Sequence, residues 1–269
     1  MPEGDAVWRT AARLHGALAG ELLAGADLRV PALATSDLSG RRTIEVVPRG
    51  KHLLHRVEGG LTLHSHLRMD GSWRVGPVGA RHAAARRHTT RALLWTQAVV
   101  AVGDRLGMLD LVRTLEESRV VGHLGPDLLD PDFDLDLAVG NLLADPARGV
   151  AEALLDQRNL AGIGTIWASE PLHLHGICPA TPVGAVGPER LRELLTTTRR
   201  LMVRSCRRPR TTTTGSSTPG EETWVFGRPG RPCHRCGTAV HQLTVGVAPR
   251  ERVVSYCPTC QPTTAAGTG

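Results

Sequence analysis

The chain has 269 residues, and its hydrophobic and charged fractions of 41% and 22% are typical of a globular protein with room for two modest domains. Its net charge of +6 and its sequence pI of about 9.5 favour a polyanionic partner such as nucleic acid, with an ordinary basic protein as the alternative. The start lacks the apolar segment of a signal peptide, and no apolar run approaches the roughly 18 residues of a membrane span, so we expect a cytoplasmic protein with reduced cysteines.

Residues 5–18 predict the first helix. Asp5 is a suitable N-cap, because a short carboxylate side chain accepts hydrogen bonds from the first free backbone N–H groups. The apolar residues that follow recur at helical spacing and are Val7, Ala11, Leu14, Ala17 and Leu18. The pattern indicates an amphipathic helix at the start of the chain.

A series of short β-like runs follows from about residue 28 to 122. Gly59 and Gly60 stand between two of these runs and predict a tight hairpin turn. Several short strands in succession indicate a β-sandwich or barrel, which places an N-terminal domain at residues 1–122. The runs are Ile44–Val47, Leu53–Glu58, Leu61–His66, Arg91–Thr96 and Ala98–Val102.

The second half of the chain is predicted to be helical and then rich in cysteine. Residues 123–136 are proline-rich and acidic and are interpreted as an interdomain linker. A helical domain is expected over residues 137–224, and its low-complexity stretch 207–222 (RRPRTTTTGSSTPGEE) predicts a mobile loop. A cysteine module follows at residues 225–261, and residues 262–269 are expected to be a frayed tail.

Two helices in this half have recognisable signals. Asp145 and Pro146 fit a cap followed by the first helical residue. The segment Glu189–Met202 is amphipathic, with arginines in its last turns. Its apolar side consists of Leu191, Leu194, Leu195, Leu201 and Met202.

Four cysteines have the spacing of a structural zinc site. They form two C-x2-C pairs, Cys233 with Cys236 and Cys257 with Cys260, with 20 residues between the pairs. Two thiolate pairs close a tetrahedron around one Zn²⁺ and leave no position open for substrate. Cys178 and Cys206 have no such spacing and are expected to be packing residues.

The segment between the two pairs predicts a β-hairpin. Its turn lies near residues 248–251, which places Arg250 and Arg252 at or beside the tip. A basic tip is suited to contact with DNA phosphates. The alternative is a zinc-bound hairpin with solvated arginines.

Two features of the N-terminal region suggest a nucleophile. Removal of Met1 would leave the secondary amine of Pro2 free, and an α-amino group titrates near pH 8, so that part of it is neutral at pH 7. Such an amine can form an iminium with a sugar C1′ carbon, and Glu3 can serve beside it as acid or base. Lys51 is the only lysine among 32 basic residues, which suggests a role that an arginine cannot fill.

These pieces together resemble the Fpg/Nei family of DNA glycosylases, in its actinobacterial endonuclease VIII-like subgroup. The similar segments occur in the family order and span nearly the whole chain. They are MPEGD at the start, PRGKHLL at 48–54, HSHLRMDGSWRV at 64–75, LLDQRNLAGIGTIWASE at 154–170, and VFGRPGRPCHRCGTAV with YCPTC at 225–240 and 256–260.

The resemblance implies an α+β fold: an N-terminal helix with a β-sandwich, a helix–two-turn–helix domain and a four-cysteine zinc finger. It implies that Pro2 attacks C1′ of a damaged nucleotide and that Glu3 assists sugar ring opening and later proton transfers. Lys51 would lie near the lesion phosphate and the departing base. One structural zinc is implied, and no redox or nucleotide cofactor.

The resemblance also implies a set of DNA contacts. His66 and Arg252 would contact phosphates beside the lesion. Met69 would enter the space left by the everted base, and without the resemblance it could equally be a core methionine. The turn with Gly162 and Gly164 would let the DNA backbone approach, and the next helix would direct free N–H groups at a phosphate. Thr165 stands where the family has Asn, and Ala6 where many relatives have Glu.

The expected function is a bifunctional DNA glycosylase and abasic-site lyase of base excision repair. It would act as a monomer on duplex DNA that contains an oxidised base or an abasic site, and would cut the strand by β,δ-elimination. Oxidised pyrimidines are favoured over purines, because the 207–222 stretch holds no aromatic residue. The alternatives are an oxidised-purine glycosylase, a paralogue that binds damaged DNA without cutting, and a zinc-ribbon factor that binds nucleic acid without preference for damage.

Overall fold

The computed structural model describes residues 2–249 and 251–263, which divide into two units by their internal contacts. The first unit contains Pro2 and residues 6–123, and the second contains residues 3–5 and the chain from 124 onward. No helix in the described residues has the length and apolar character that a membrane span requires.

The first unit is built on two four-stranded antiparallel sheets, as the succession of short runs predicted. The first sheet has the strand order β1-β6-β7-β5 and the second β2-β3-β4-β8. The strands are β1 Gly25–Leu28, β2 Thr43–Arg49, β3 His52–Val57, β4 Leu61–His66, β5 Ser72–Pro77, β6 Thr90–Trp95, β7 Val99–Asp104 and β8 Met108–Arg113.

The hairpin between β3 and β4 turns at the two predicted glycines. Gly59 and Gly60 have φ angles of 83° and 68°, a region that residues with a Cβ rarely adopt. The turn sets the register in which Val57 pairs with Leu61 and His52 pairs with His66. It therefore decides which histidines of the two strands are neighbours.

Helix α1, Gly4–Leu18, covers the sandwich core with the predicted face. Val7, Ala11, Leu14 and Leu18 are buried there, and each large aliphatic side chain contributes about 1.5–3 kcal/mol by leaving water. The prediction of Asp5 as N-cap is wrong. The helix begins one residue earlier, so that Asp5 lies inside its first turn and its carboxylate binds side chains distant in sequence.

The second unit is mainly helical around one apolar core. Short helices α2 Arg81–Ala85 and α3 Ser118–Val121 precede it in the first unit. Its own helices are α4 Leu135–Leu143, α5 Val150–Leu155, α6 Thr165–Leu174, α7 Val183–Val186 and α8 Pro188–Cys206. Helix α8 contains the predicted amphipathic segment, and all five of its predicted apolar residues are buried.

One helix start in this unit was predicted wrongly. Helix α5 begins at Val150 with Gly149 as its N-cap, whereas Asp145 and Pro146 lie in a turn before it. The chain reaches α5 through an isolated bridge between Gly149 and Pro182, which postpones the helix by a turn. Within the segment interpreted as a linker, Leu128 is fully buried in the helical core.

The cysteine module contains the predicted β-hairpin. Its strands are β9 His241–Val245 and β10 Arg252–Tyr256, paired antiparallel. Arg252 opens β10 and is exposed, whereas Arg250 lies outside the described residues. Most of the predicted tail, residues 264–269, is also outside them.

Candidate active site

Glu3 is held on the N-terminus of helix α6. Its carboxylate accepts hydrogen bonds from the backbone N–H groups of Gly164 at 3.0 Å, Ile166 at 2.9 Å and Trp167 at 3.2 Å, and its exposed fraction is 2%. These donors and the positive end of the helix favour a negatively charged carboxylate at this point. The residue that follows Pro2 is therefore a fixed anion.

Three N–H groups at the start of α6 are therefore used within the protein, and the contact of this helix with a DNA phosphate stays a prediction. The N–H groups of Gly164, Ile166 and Trp167 all donate to Glu3. Thr165 is the first residue of α6, and its carbonyl accepts from the Ser169 hydroxyl at 2.6 Å. One anion at this helix N-terminus is thus a side chain of the same protein.

The two predicted glycines of the turn have separate structural reasons. Gly162 has a φ of 94°, and its carbonyl accepts a hydrogen bond from the Gly4 N–H at 2.9 Å. Gly164 has an extended backbone that any residue could adopt, with φ −124° and ψ −161°. A Cβ at Gly164 would lie 2.3 Å from Cδ of Glu3, so glycine is needed there to leave room for the carboxylate.

Lys51 lies in the turn between β2 and β3, after Gly50 with a φ of 58°. Its exposed fraction is only 8%, so it is not the solvated lysine usual in hairpin turns. Its positive charge helps to lower the pKa values of His52 and His66, which indicates that the three side chains are close.

His66 ends β4 and is a neutral hydrogen-bond donor. Burial, followed by the charges of Lys51 and Arg68, lowers its pKa to about 4. Its Nδ1 accepts the backbone N–H of Arg68 at 2.9 Å, so in the neutral ring the proton is on Nε2. His66 can therefore donate to a phosphate oxygen at pH 7 without being protonated.

A chain of side chains behind His66 was not found from the sequence. Asp110 on β8 accepts from Nδ1 of His64 at 3.1 Å, and Nε2 of His64 then accepts from Nδ1 of His52 at 2.8 Å. The His52 ring packs edge-on against His66 with 4.8 Å between centroids. Burial is the main reason why the pKa of His52 is lowered to about 3. The charges of neighbouring residues lower it further, in the order His66, His64, His123 and Lys51. The signal in the sequence was a pair of alternate histidines on β4, His64 and His66, of which His66 lies opposite His52 on β3.

Met69 and Arg252, the remaining predicted DNA contacts, are both exposed. Met69 lies in the turn after β4 with an exposed fraction of 64%, which excludes the alternative of a core methionine. The residue before it, Arg68, has a φ of 51°, a left-handed conformation that turns the chain sharply at this point. An exposed, unbranched apolar side chain is suited to entering a base stack.

The four predicted cysteines come together. Their Sγ atoms all lie within 4.8 Å of one another, with 4.0 Å from Cys233 to Cys260 and 3.4 Å from Cys236 to Cys257. A tetrahedral Zn²⁺ with Zn–S bonds of about 2.3 Å requires S–S edges of roughly 3.8 Å, which lies between these two distances. The Arg235 N–H also donates to Sγ of Cys233, a contact that stabilises a thiolate. The donor set and its spacing therefore fit zinc.

The sandwich, the helical unit with its glycine turn and the four-cysteine hairpin define a class of DNA-repair protein fold. The N-terminal domain model of formamidopyrimidine-DNA glycosylase matches residues 1–110, and the H2TH domain model of the same enzyme matches residues 124–217. The chain belongs to the Fpg/Nei family, with the fold that the resemblance implied.

Curated relatives and solved structures agree with this assignment. The chain is 54% identical to the probable endonuclease 8 2 of Streptomyces coelicolor, over 97% of this chain and 94% of the relative. It is 43% identical to the DNA-(apurinic or apyrimidinic site) lyase Nei2 of Mycolicibacterium smegmatis, over 97% and 99%. Lactococcus lactis Fpg, solved with DNA that contains an oxidised pyrimidine, has a TM-score of 0.82 at 22% identity and covers 97% of this chain and 100% of its own, which shows the fold.

Proposed function

We propose that this protein is a DNA glycosylase and abasic-site lyase of base excision repair. The observation that carries the proposal is the fixed carboxylate of Glu3, held by three backbone N–H groups directly after Pro2. The relatives named as endonuclease 8 and as an abasic-site lyase support it.

Pro2 is the proposed nucleophile once Met1 is removed. Its amine nitrogen attacks C1′, the bond from C1′ to the base breaks, and the base departs with a proton. The sugar ring opens and leaves an iminium between the nitrogen and C1′. Loss of the C2′ proton then breaks the C3′–O bond, and loss of the C4′ proton breaks the C5′–O bond, so that both phosphates leave. Water then hydrolyses the iminium, which releases the sugar fragment as an aldehyde and frees the Pro2 amine. Glu3 stabilises positive charge on the iminium and accepts a proton during these steps.

Duplex DNA is the proposed partner, bound by one copy of the protein. Lys51 and His66 contact phosphates at the lesion, His66 through its Nε2–H, and Arg252 contacts them from the cysteine hairpin. Met69 fills the space of the everted base. Gly162, Gly164 and Thr165 are proposed to contact the DNA backbone at the start of α6, where Gly162 and Gly164 also bind Gly4 and Glu3.

The proposed substrates are oxidised pyrimidines such as thymine glycol, together with abasic sites. This choice over oxidised purines rests on the resemblance to the endonuclease VIII-like subgroup, and relatives named endonuclease 8 2 are 54% and 46% identical to this chain. The stretch 207–222 offers no aromatic side chain to stack on a purine lesion.

One structural zinc is proposed at Cys233, Cys236, Cys257 and Cys260. Its contribution is to cross-link the two ends of the β9–β10 hairpin, and no step of the reaction passes through it. Metal analysis of the purified protein should give one zinc per chain. Cys257→Ser should lose that zinc, whereas Cys178→Ser, which changes a buried cysteine outside the cluster, should retain it.

Borohydride trapping tests the proposed function. The protein is mixed with duplexes that contain an abasic site, thymine glycol or 8-oxoguanine, and covalent adducts are counted on a denaturing gel. The wild type should form an adduct, best with thymine glycol between the two base lesions, and Pro2→Gly, which replaces the secondary amine by a primary one, should form far less. Lys51→Arg keeps the positive charge but has no amine that can lose a proton. It therefore distinguishes a role of Lys51 in binding phosphate from a role in the chemical step. Tight binding without any adduct would overturn the enzyme assignment and favour a damage-binding protein.

A further inference from the structure

The three residues after Pro2 are each bound to the helical unit. Glu3 is held by the N-terminus of α6, and the Gly4 N–H donates to the Gly162 carbonyl at 2.9 Å. Asp5 completes the series with its own buried carboxylate. The segment from which the Pro2 amine projects is therefore fixed by three consecutive anchors.

Asp5 has no exposed surface, and its carboxylate accepts three side-chain hydrogen bonds. Trp167 Nε1 donates to Oδ1 at 3.0 Å, and the hydroxyl groups of Ser205 and Thr211 donate to Oδ2 at 2.7 Å each. These donors belong to helix α6, to the end of helix α8 and to the loop that follows it. Because all of it is buried, the carboxylate cannot touch DNA, and any effect on the reaction has to act through its neighbours.

Thr211 begins a loop whose first residues are held by hydrogen bonds to other parts of the helical unit. We call residues 211–222 the threonine loop. The Thr212 N–H donates to the Ser205 hydroxyl at 3.3 Å, and the Thr213 hydroxyl donates to the buried carboxylate of Glu170. The Thr213 N–H donates to the Glu222 carbonyl at 2.8 Å and closes the loop. Although the sequence TTTT is of low complexity, its first three threonines each bind a different partner.

Asp5 is the point where the threonine loop and the N-terminal segment meet. One oxygen of its carboxylate accepts a hydrogen bond from the Thr211 hydroxyl in the loop. Along the chain, Asp5 lies two residues after Glu3 and three after Pro2. A shift of the loop at Thr211 changes the contacts of Asp5 and, through the backbone, the position of the segment. Misplacement of a reacting group by about 1 Å can lower a rate by roughly 100-fold.

We propose that Asp5 and Thr211 are positioning residues that connect the threonine loop to the nucleophile segment and hold Pro2 for attack. The proposal rests on the lyase function proposed above. It assigns a role to a buried acid, which cannot reach the substrate, and to the loop threonine that donates a hydrogen bond to it. It also makes the rate of iminium formation depend on the loop.

The test separates binding from the covalent step. Binding is measured with a duplex that contains a tetrahydrofuran abasic analogue. This analogue has no hydroxyl group at C1′ and therefore cannot form an iminium. The covalent step is measured as the rate of borohydride trapping on a true abasic duplex with enzyme in excess. Thr211→Val removes one hydroxyl at nearly constant volume. Its matched control is Thr214→Val, because the Thr214 hydroxyl donates to the Glu221 carbonyl at the exposed side of the loop.

Thr211→Val should slow trapping by about 10-fold and leave the Kd for the tetrahydrofuran duplex within about 2-fold. Thr211→Ser, which restores the hydroxyl, should recover the wild-type rate, and Thr214→Val should not change it. Asp5→Asn combined with Thr211→Val should be no slower than Asp5→Asn alone, because both changes break one contact.

Two results would overturn the inference. One is a trapping rate of Thr211→Val equal to that of the wild type. The other is a parallel loss of rate, affinity and Tm, which would show a purely structural contact. If the wild type itself formed no adduct, the proposed function would fail instead, and the two failures are therefore distinguishable.

Discussion

The β-sandwich unit and the helical unit differ in most of the polar side chains that they bury, although the sandwich also buries Asp104 and the helical unit also buries His173. The sandwich buries imidazoles, and burial lowers the pKa values of His52, His55 and His66 so that the rings are neutral at pH 7. The helical unit buries carboxylates: Glu3 accepts from three backbone N–H groups, and Glu170 from three backbone N–H groups and a hydroxyl.

The difference shows two ways in which a protein can reduce the free-energy cost of burying a polar side chain. A neutral imidazole avoids the charge and keeps one donor whose position is set by the partner of its other nitrogen. A carboxylate needs several donors, and backbone N–H groups provide them without side-chain entropy. The sandwich therefore depends on protonation state, whereas the helical unit depends on local backbone geometry.

The largest expected effect is a loss of stability on changing the buried carboxylate of Glu170. Glu170→Gln replaces an acceptor oxygen by an NH2 group that faces donors: the Thr213 hydroxyl and the N–H groups of Trp224, Val225 and Phe226. The free energy of unfolding should fall by about 3 kcal/mol, measured by urea denaturation. Burial raises the pKa of Glu170, and if the acid were protonated in the native protein, Gln would be tolerated with less than about 1 kcal/mol of loss.

Gly164→Ala tests the geometry around Glu3. The new methyl group would lie 2.3 Å from Cδ of Glu3 and has to displace the carboxylate from the α6 N-terminus. The trapping rate should fall by about 100-fold, equivalent to about 2.7 kcal/mol. Gly140→Ala is the control, because a Cβ there meets no atom within 4 Å and Ala favours the interior of α4. Equal rates for the two variants would contradict the explanation given for Gly164.

Acid should weaken the sandwich more than the helical unit, where the effect of the lowered pKa values of His173 and His175 is opposed by the raised pKa of Glu170. Since the pKa of His52 falls to about 3 and that of His55 to about 4, the unfolded chain binds more protons below about pH 6.5. The stability from the neutral rings is present above that pH and is lost as pH falls, by about 2 kcal/mol per ring at pH 5. For Glu170 the sign is reversed, because its raised pKa lets the folded state bind the extra proton.

Hydrogen exchange at pH 5 and pH 7.5, corrected for intrinsic rates, checks this order. Amides of β3 and β4 should lose protection at pH 5, and amides of α8 should lose less. His55→Leu should reduce the acid sensitivity of the sandwich by about half, whereas His88→Leu, at an exposed position, should leave it unchanged. Uniform loss of protection in both units would refute the neutral-imidazole interpretation.

The smallest expected effect concerns the donor atom of His66. The side-chain NH2 of Gln reaches the position of Nε2, whereas Asn reaches that of Nδ1. His66→Gln should therefore bind the tetrahydrofuran duplex within about 3-fold of the wild type, and His66→Asn about 10-fold more weakly. Affinity of the wild type should not change between pH 6 and 8 on account of this residue, since its pKa is about 4. Equal affinities for the two variants would contradict the assigned tautomer.

The sequence predicted those features that depend on local patterns. The first helix, five strands, the Gly59–Gly60 turn, the amphipathic face of α8 and the cysteine pairs are all confirmed, because each is encoded within about 20 residues. The contacts of Asp5 and Glu3 could not be predicted, because their partners lie more than 160 residues away along the chain. The start of α5 was wrong for the same reason, since the bridge from Gly149 to Pro182 overrides the local signal at Pro146.

The capture of Glu3 by helix α6 has a consequence for the order of events during synthesis. The first residues of the chain leave the ribosome about 164 residues before Trp167, their binding partner. At roughly 5–20 residues per second, the start of the chain waits about 10–30 seconds before it can be fixed in place. With Pro2 as the proposed nucleophile, nascent and truncated chains would therefore carry its amine without the contacts that fix the neighbouring Glu3.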